Sequence, residues 1–373
     1  MLMIVGLVLF IIVSLAIHFS KGTKNGPMEN ENFDVQPIKK FVDGCIERLA
    51  KDAIKLLGDQ GGYIYKSQGG SVIDYQESDE TVTFKMHAGS MVSYNILPPK
   101  FKVGPYESSI PEYPWNVFPY DISSDEKTFK GYFGISHFPP LNESEGINSF
   151  QQQIEWFIDE NIQKCIGSFE SFRDLSIEAD FDEISTSIFI GNTNLNVRSK
   201  IPITIKNIQT GGQAKLDEFS TTLNIGLKEF HEFIKSAIRE DISNIEYDLG
   251  KITNDRFEVE VMRETDGDDI IRISDKNSRI LDEPLTYHFA RKNRFPALFY
   301  TKEYNNEFQM MQSLVLNDIL KNDLEALDPD EDELFFSSSP SFPLTLDVPS
   351  LDIRLEVSDG KLTDYQNINI ISR

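Results

Sequence analysis

The chain has 373 residues, 40% of them hydrophobic, which is enough for packed cores and excludes global disorder. With 36 basic against 60 acidic residues the formal charge is −24, a sign that repels phosphate backbones and excludes nucleic acid as a partner.

From Leu2 to Phe19 only Ser14 and His18 are polar and no residue is charged. About 18 residues rising about 1.5 Å each cover roughly 27 Å, close to the apolar thickness of a bilayer. Residues 2–19 are therefore expected to form a transmembrane anchor helix; Ser14-Leu15-Ala16 leaves open a cleaved signal peptide. Lys21 and Lys24 favour a cytoplasmic position for the C-terminal bulk of the chain, whereas its size and acidity favour the outside. The expectation is a single-pass cell-membrane protein with extracellular C-terminal domains. Residues 20–36 have hardly any apolar side chain and suit a flexible stalk.

At Pro37 folding resumes, with Ile38, Phe41, Val42, Cys45, Leu49, Ala53 and Leu56 on one helical face and Gly58 as the stop. Gly58, Gly61 and Gly62 then read as a helix-to-strand turn, since a phosphate-cradling loop needs a Gly-Lys-Ser/Thr at a helix start. The segment 91–140 holds eight of the 17 prolines among many aromatics and is expected to be an irregular excursion packed on the body. Tyr113, Trp115, Phe118 and Tyr120 are its candidate partner-binding surface; a loop held down by its own aromatics is the blander reading. Asn142-Glu143-Ser144 is a glycosylation sequon on Asn142.

A second helix is expected over about 150–169, then strands around Leu175–Phe181, a hairpin at Gly191-Asn192, a separate strand at Ile201–Ile205, a third helix over about 223–245, and strands at Phe257–Met262 and Ile270–Ser274. Helices with antiparallel strands between them describe an α+β domain over 37–285. The first two helices share a pattern, Ile38-x-x-Phe41-Val42-Asp43 and Ile154-x-x-Phe157-Ile158-Asp159, and each carries one of the two cysteines. A Cys45–Cys165 disulfide is expected for a chain with a membrane address, two buried thiols in a core stripe being the other reading. From Asn293 onward short strand-like runs without an amphipathic helix describe a β-sandwich over 293–373.

Three segments of that region resemble the cadherin-like and polycystic-kidney-type Ig-like modules. They are Asn293-Arg294-Phe295-Pro296, the acidic run from Ala326 to Leu334, and the hairpin from Val357 to Asp364, with Glu331 where the family pattern has glycine. In such modules acidic residues sometimes bind calcium, so the resemblance implies Asp328, Asp330 and Asp332 as a candidate calcium set, a solvated acidic turn being the default. The earlier part, Phe41-Val42-Asp43-x-Cys45 running to Ile64 and Phe157-Ile158 running to Cys165, resembles uncharacterised N-terminally anchored surface proteins of small-genome archaea, many with pilin-like leaders. That resemblance implies an envelope address and brings no activity.

The five histidines are scattered, and neither a nucleophile elbow nor a dinucleotide fingerprint is present. The expectation is an anchored α+β body with an N-terminal transmembrane helix and a C-terminal all-β Ig-like sandwich, acting as a non-catalytic cell-surface structural or adhesive protein. Its partners would be the membrane through residues 2–19 and further copies or other envelope proteins, with assembly into a filament or envelope complex. The alternative is an envelope enzyme, or its accessory subunit, that uses the aromatic loop as a substrate platform.

Overall fold

The computed structural model describes residues 34–70, 72, 83–98, 133–167, 169–173, 175–209, 211–300, 307–308, 313–314, 324–345 and 347–372. In chain order these form α1 (Gln36–Asp59), β1 (Phe84–His87), β2 (Ser90–Leu97), β3 (Ile135–Ser136), α2 (Phe150–Ile166), β4 (Leu175–Ala179), β5 (Ser185–Ile190), β6 (Leu195–Asn207), β7 (Gln213–Leu223) and α3 (Leu227–Ser243). Then come β8 (Phe257–Arg263), β9 (Asp269–Ile280), β10 (Glu283–Arg291), β11 (Ala297–Tyr300), β12 (Glu307–Phe308), β13 (Ser313–Leu314), β14 (Leu324–Leu327), β15 (Phe335–Ser339), β16 (Leu344–Thr345), β17 (Ser350–Ser358) and β18 (Thr363–Ser372).

This arrangement corrects the expected fold class. Among the described residues the structure is mostly β, with 42% of them in strands of several sheets, together with three α-helices. Among the described residues no helix is long and apolar enough to cross a membrane, and the longest, α1, carries Lys39, Asp43, Glu47, Arg48, Lys51 and Lys55 between its apolar positions. The expectation of a single-pass membrane protein with extracellular C-terminal domains is corrected on that ground. The run 2–19 on which it rested lies outside the described residues, as does nearly all of the expected stalk 20–36.

The excess of strand over the sequence expectation has identifiable sources. Ile201–Ile205 is no separate strand but the second half of the 13-residue β6, whose ladder with β7 shifts register between Lys200 and Ile203. Pro202 lies in that interval and has no N–H to donate, so an irregularity is where a long strand can take it. The expected third helix starts later, at Leu227, because Leu223 completes β7. The expected irregular segment 91–140 opens on the regular β2.

β1-β2-β10-β9-β8 form one sheet, in which β10 runs parallel to β2 and antiparallel to β9. In a second sheet β6 lies centrally, with β7 on one side and β4 and β5 on the other. The three helices and both sheets share one core, in which Ile46, Ala50 and Ile54 of α1, Ile158 and Ile162 of α2, Ile234 of α3, Ile203 of β6 and Phe289 of β10 are all buried. Gly58 allows the end of α1 to approach the sheet, since a Cβ there would stand 2.2 Å from the Thr286 carbonyl oxygen of β10.

The repeated helix pattern has a structural meaning. Asp43 of α1 accepts the Ser220 amide of β7 at 3.0 Å, and Asp159 of α2 accepts the Thr186 amide of β5 at 3.4 Å. Lys39 donates to the Glu218 carbonyl at 3.1 Å, and Glu155 accepts the Ile188 amide at 2.7 Å. The two helices thus cover opposite edges of the second sheet and satisfy backbone groups that would otherwise be open to pairing. The C-terminal strands form a sheet β12-β18-β17-β15 with the pairs β11–β14 and β13–β16, around a separate small core of Leu298, Ile353, Leu355, Val357 and Ile368.

Cys45 and Cys165 form a disulfide between α1 and α2, with Cα atoms 5.8 Å apart and 120 residues between them in sequence. Closing a loop of that length in the unfolded chain is worth about 4–5 kcal/mol at most by chain entropy. Reduction, or the Cys45→Ser variant, is expected to lower the unfolding free energy by up to about that amount in denaturant titrations. An unchanged midpoint would remove the disulfide from the account of stability.

Candidate functional site

The most concentrated chemistry among the described residues lies where the body meets the C-terminal module. The side chains of Arg291 and Arg294 are 3% and 0% exposed, and the carboxylates they face, Asp241, Asp269 and Asp330, are as deeply buried. Local structure brings them together. Arg291 ends β10 and stands opposite Asp269, the first residue of β9, in the ladder. Asp241 comes from the last turns of α3, and Asp330 from the turn between β14 and β15.

Arg291 donates to Asp269 Oδ2 from Nε (3.1 Å) and Nη2 (2.5 Å), and to Asp241 Oδ1 from Nη1 (2.8 Å). Arg294 grips Asp330 three times: its amide N to Oδ2 (2.6 Å), and Nε and Nη2 to Oδ1 (2.9 and 2.8 Å). Its remaining donors reach the carbonyls of Pro329 (2.6 Å) and Phe133 (3.1 Å). Asp330 therefore bridges both guanidinium groups, since Arg291 Nε also lies 3.1 Å from its Oδ1. Around this centre Arg263 of β8 pairs with Asp332 (2.8 Å) and donates to the Glu331 carbonyl (2.6 Å). Asn293 donates to Asp359 (2.9 Å), and the Leu298 amide to Asp364 (2.9 Å). At Gly267 (φ +95°) a Cβ would stand 2.9 Å from Asn293 Nδ2 and 3.2 Å from Lys361 Cγ, which keeps the body and the hairpin close.

Burial alone would lower the two arginines, but Asp330, Asp241 and, for Arg291, Asp269 overcome it and raise both, so each stays charged. Burial also raises Asp241 and Asp269 against the pull of the arginines. Asp328 is pushed up to about 7 by burial and by Asp330, and Glu331 to about 7 by burial and its hydrogen bond with Asp248. Two guanidinium groups face three carboxylates at the centre, and at its rim burial is the first cause that holds protons on the carboxyls, with Asp330 adding to it for Asp328 and Asp248 for Glu331. The strong donors of Arg291 and Arg294 are committed to carboxylates and carbonyls, so the arrangement ties two bodies together.

The candidate calcium set is placed differently from the expectation. Asp330 faces the two arginines, Asp332 faces Arg263, and Asp328 Oδ1 accepts the amides of Asp330 (2.7 Å) and Asp332 (3.2 Å). Among the described residues no group of acids, histidines or cysteines is arranged to hold a metal ion. Glu331, at the glycine position of the family pattern, adopts the left-handed φ of +62° that glycine favours. Asn142 is half-exposed, with Nδ2 donating to Glu145 at 3.0 Å. Tyr113, Trp115, Phe118 and Tyr120 lie outside the described residues. Of the same segment, Phe133 is buried and lends its carbonyl to Arg294, and Phe138 packs against Phe150, His231 and Tyr287.

The three segments that carry the module resemblance meet here, through Arg294–Asp330 and Asn293–Asp359. Arg291, Asp241 and Asp269 escaped the sequence reading because a charged residue at the end of a strand or helix reads as a solvated one until its partner is known. His231 is buried, bonded to the Pro139 carbonyl at 2.9 Å and lowered to about 4 by burial, so it is a neutral packed side chain. Comparison of the sequence with known family profiles and with curated proteins finds no match.

Two predictions come from this geometry. Arg294→Met leaves Asp330 buried without its main partner and is expected to cost about 3–5 kcal/mol in denaturant unfolding; a loss under about 1 kcal/mol contradicts the account. The second concerns pH. Glu155, Asp328 and Glu331, at about 7, and Asp332, at about 6, are all raised first by burial. Their unfolded values lie near 4, so the stability they contribute is whole below about pH 4 and is lost as pH rises through about 6 to 7. His231 opposes this only below its unfolded value of 6.5. Between about pH 6.5 and 8 the carboxyls act alone, and the thermal midpoint is expected to fall; a flat or rising midpoint would refute the assignment.

Proposed function

We propose that the protein is a non-catalytic structural or adhesive building block whose body fixes the direction in which the C-terminal module points. The observation that carries this reading is the buried junction of Arg291 and Arg294 with Asp241, Asp269 and Asp330, a contact far more specific than a chain linker needs. Interfaces between domains of one chain are by default mobile and rather polar. Here the charges are out of reach of solvent, so screening by salt does little to loosen them. The helix-covered sheet edges and the α1–α2 disulfide support the same reading, because they make the body itself stiff.

The partners proposed are further copies of the chain or other structural proteins, and the formal charge of −24 favours cations or basic surfaces among them. The alternative, an enzyme or accessory subunit using the aromatics of 91–140 as a platform, has no observation on its side among the described residues. His87 there faces Glu264 at 2.9 Å and His231 is sealed in the core.

Spin labels placed by Ser176→Cys in β4 and Asn367→Cys in β18, with the native disulfide intact, test rigidity directly. In labelled chain diluted into an excess of unlabelled chain, a single narrow distance distribution is expected at low and high salt, broadening in Arg294→Met. A broad distribution in the otherwise unaltered chain would overturn the fixed-direction reading.

A further inference from the structure

The fold treats its sheet edges unequally. Of the edge strands with four residues or more in the three larger sheets, β1 carries Lys85, β4 carries Glu178, β7 carries Lys215, Asp217 and Glu218, and β8 carries Glu258, Glu260 and Arg263. Charge on an edge is a common guard against unwanted pairing. β5 and β15 carry none. β5 is guarded in another way, by Glu155 and Asp159 of α2, which accept its outward amides. β15, Phe335–Ser339, pairs with β17 on one side and has no strand on the other among the described residues. Its Phe335 is 55% exposed. The whole run from Leu334 to Leu346 is without a charged residue, in a chain that carries −24.

We infer that β15 pairs antiparallel with β15 of a second copy of this chain, centred on Ser337, so that the module's sheet continues across the two copies. The choice of occupant rests on charge. Two copies of a strongly acidic chain repel wherever their charged surfaces meet, and β15 is the open edge at which they meet without like charges opposed. An antiparallel pair about Ser337 sets Ser337 against itself and Phe335 against Ser339, a large side chain against a small one at both ends. In the same register Glu333 falls opposite Ser341 and not opposite another acid. The N–H and C=O groups of the edge, which pair with no strand among the described residues, are self-complementary in this arrangement, which is the chemistry of strand addition. The inference deepens the building-block reading and rests on it, by naming the surface through which copies join.

The test uses the full chain. The sequence has two cysteines, and both are in the disulfide, so Ser337→Cys introduces the one free thiol. Mild oxidation is expected to give a covalent dimer at least tenfold faster than with the exposed control Ser176→Cys. Sedimentation velocity is expected to show a concentration-dependent dimer that strengthens as salt screens the repulsion between copies, and Ser337→Lys, at an exposed position beside Glu356, is expected to abolish it with no shift in thermal midpoint at concentrations where the unaltered chain is monomeric. A chain that stays monomeric at every concentration and salt overturns the inference. So does a dimer that survives Ser337→Lys, or crosslinking of the Ser337→Cys variant no faster than that of the control. None of these outcomes moves the spin-label distances within one chain, so failure here and failure of the rigid-junction reading are separable.

Discussion

Asp330 is the residue on which the architecture turns. Its carboxylate is held by Arg294 through three bonds and approached by Arg291, and those arginines are themselves anchored to Asp241 on α3 and Asp269 on β9. A helix, the central sheet of the body and the module's acidic turn therefore meet at one buried charge cluster. Such a cluster is not the cheapest way to join two domains, because desolvating the ions offsets most of their attraction, and an apolar contact of equal volume is often as stable. What it supplies is direction. Apolar patches slide with small changes in energy, whereas a guanidinium fork meets a carboxylate in few geometries.

The neighbourhood of the cluster is also shaped by burial, which raises Asp328, Glu331 and Asp332 at its rim. Elsewhere the acidic composition is put to structural use. Asp43, Glu155 and Asp159 accept edge amides, and Asp275 accepts Arg256 at 2.9 Å together with the Ser278 hydroxyl. A net charge of −24 is thus partly solubility and partly internal wiring.

Much of the helical layer was legible in the sequence, and for a plain reason: α1, α2 and α3 each bury one stripe, and a stripe of period 3.6 survives any change in what it packs against. The sheets were less legible. Leu285, Tyr287 and Phe289 alternate cleanly along β10, yet the parallel partner β2 lies almost two hundred residues away, and no local signal specifies that pairing. β6 read as two pieces, the second arm of the hairpin and a separate strand at Ile201–Ile205, because nothing local shows that the ladder with β7 continues across the register shift between Lys200 and Ile203. At the junction, Arg294 and the acidic turn could be noticed as motifs, but their burial could not, since it depends on Phe133 and Asp241 closing over them from distant segments.

The position of Asp330 along the chain also sets an order of events during synthesis. When the ribosome has released the body through Arg294, two guanidinium groups already face two carboxylates, so that four of the cluster's five charged groups are present and balanced before the module exists. Arg294 then still has its amide and Nε turned toward an absent partner and must keep water on them, while Nη2 keeps Asp241 Oδ2 at 3.0 Å. Only when Pro329 and Asp330 emerge can that water leave. A nascent chain halted between these points would carry a folded body with a hydrated notch at its end, a form that protein quality control could distinguish from the finished molecule.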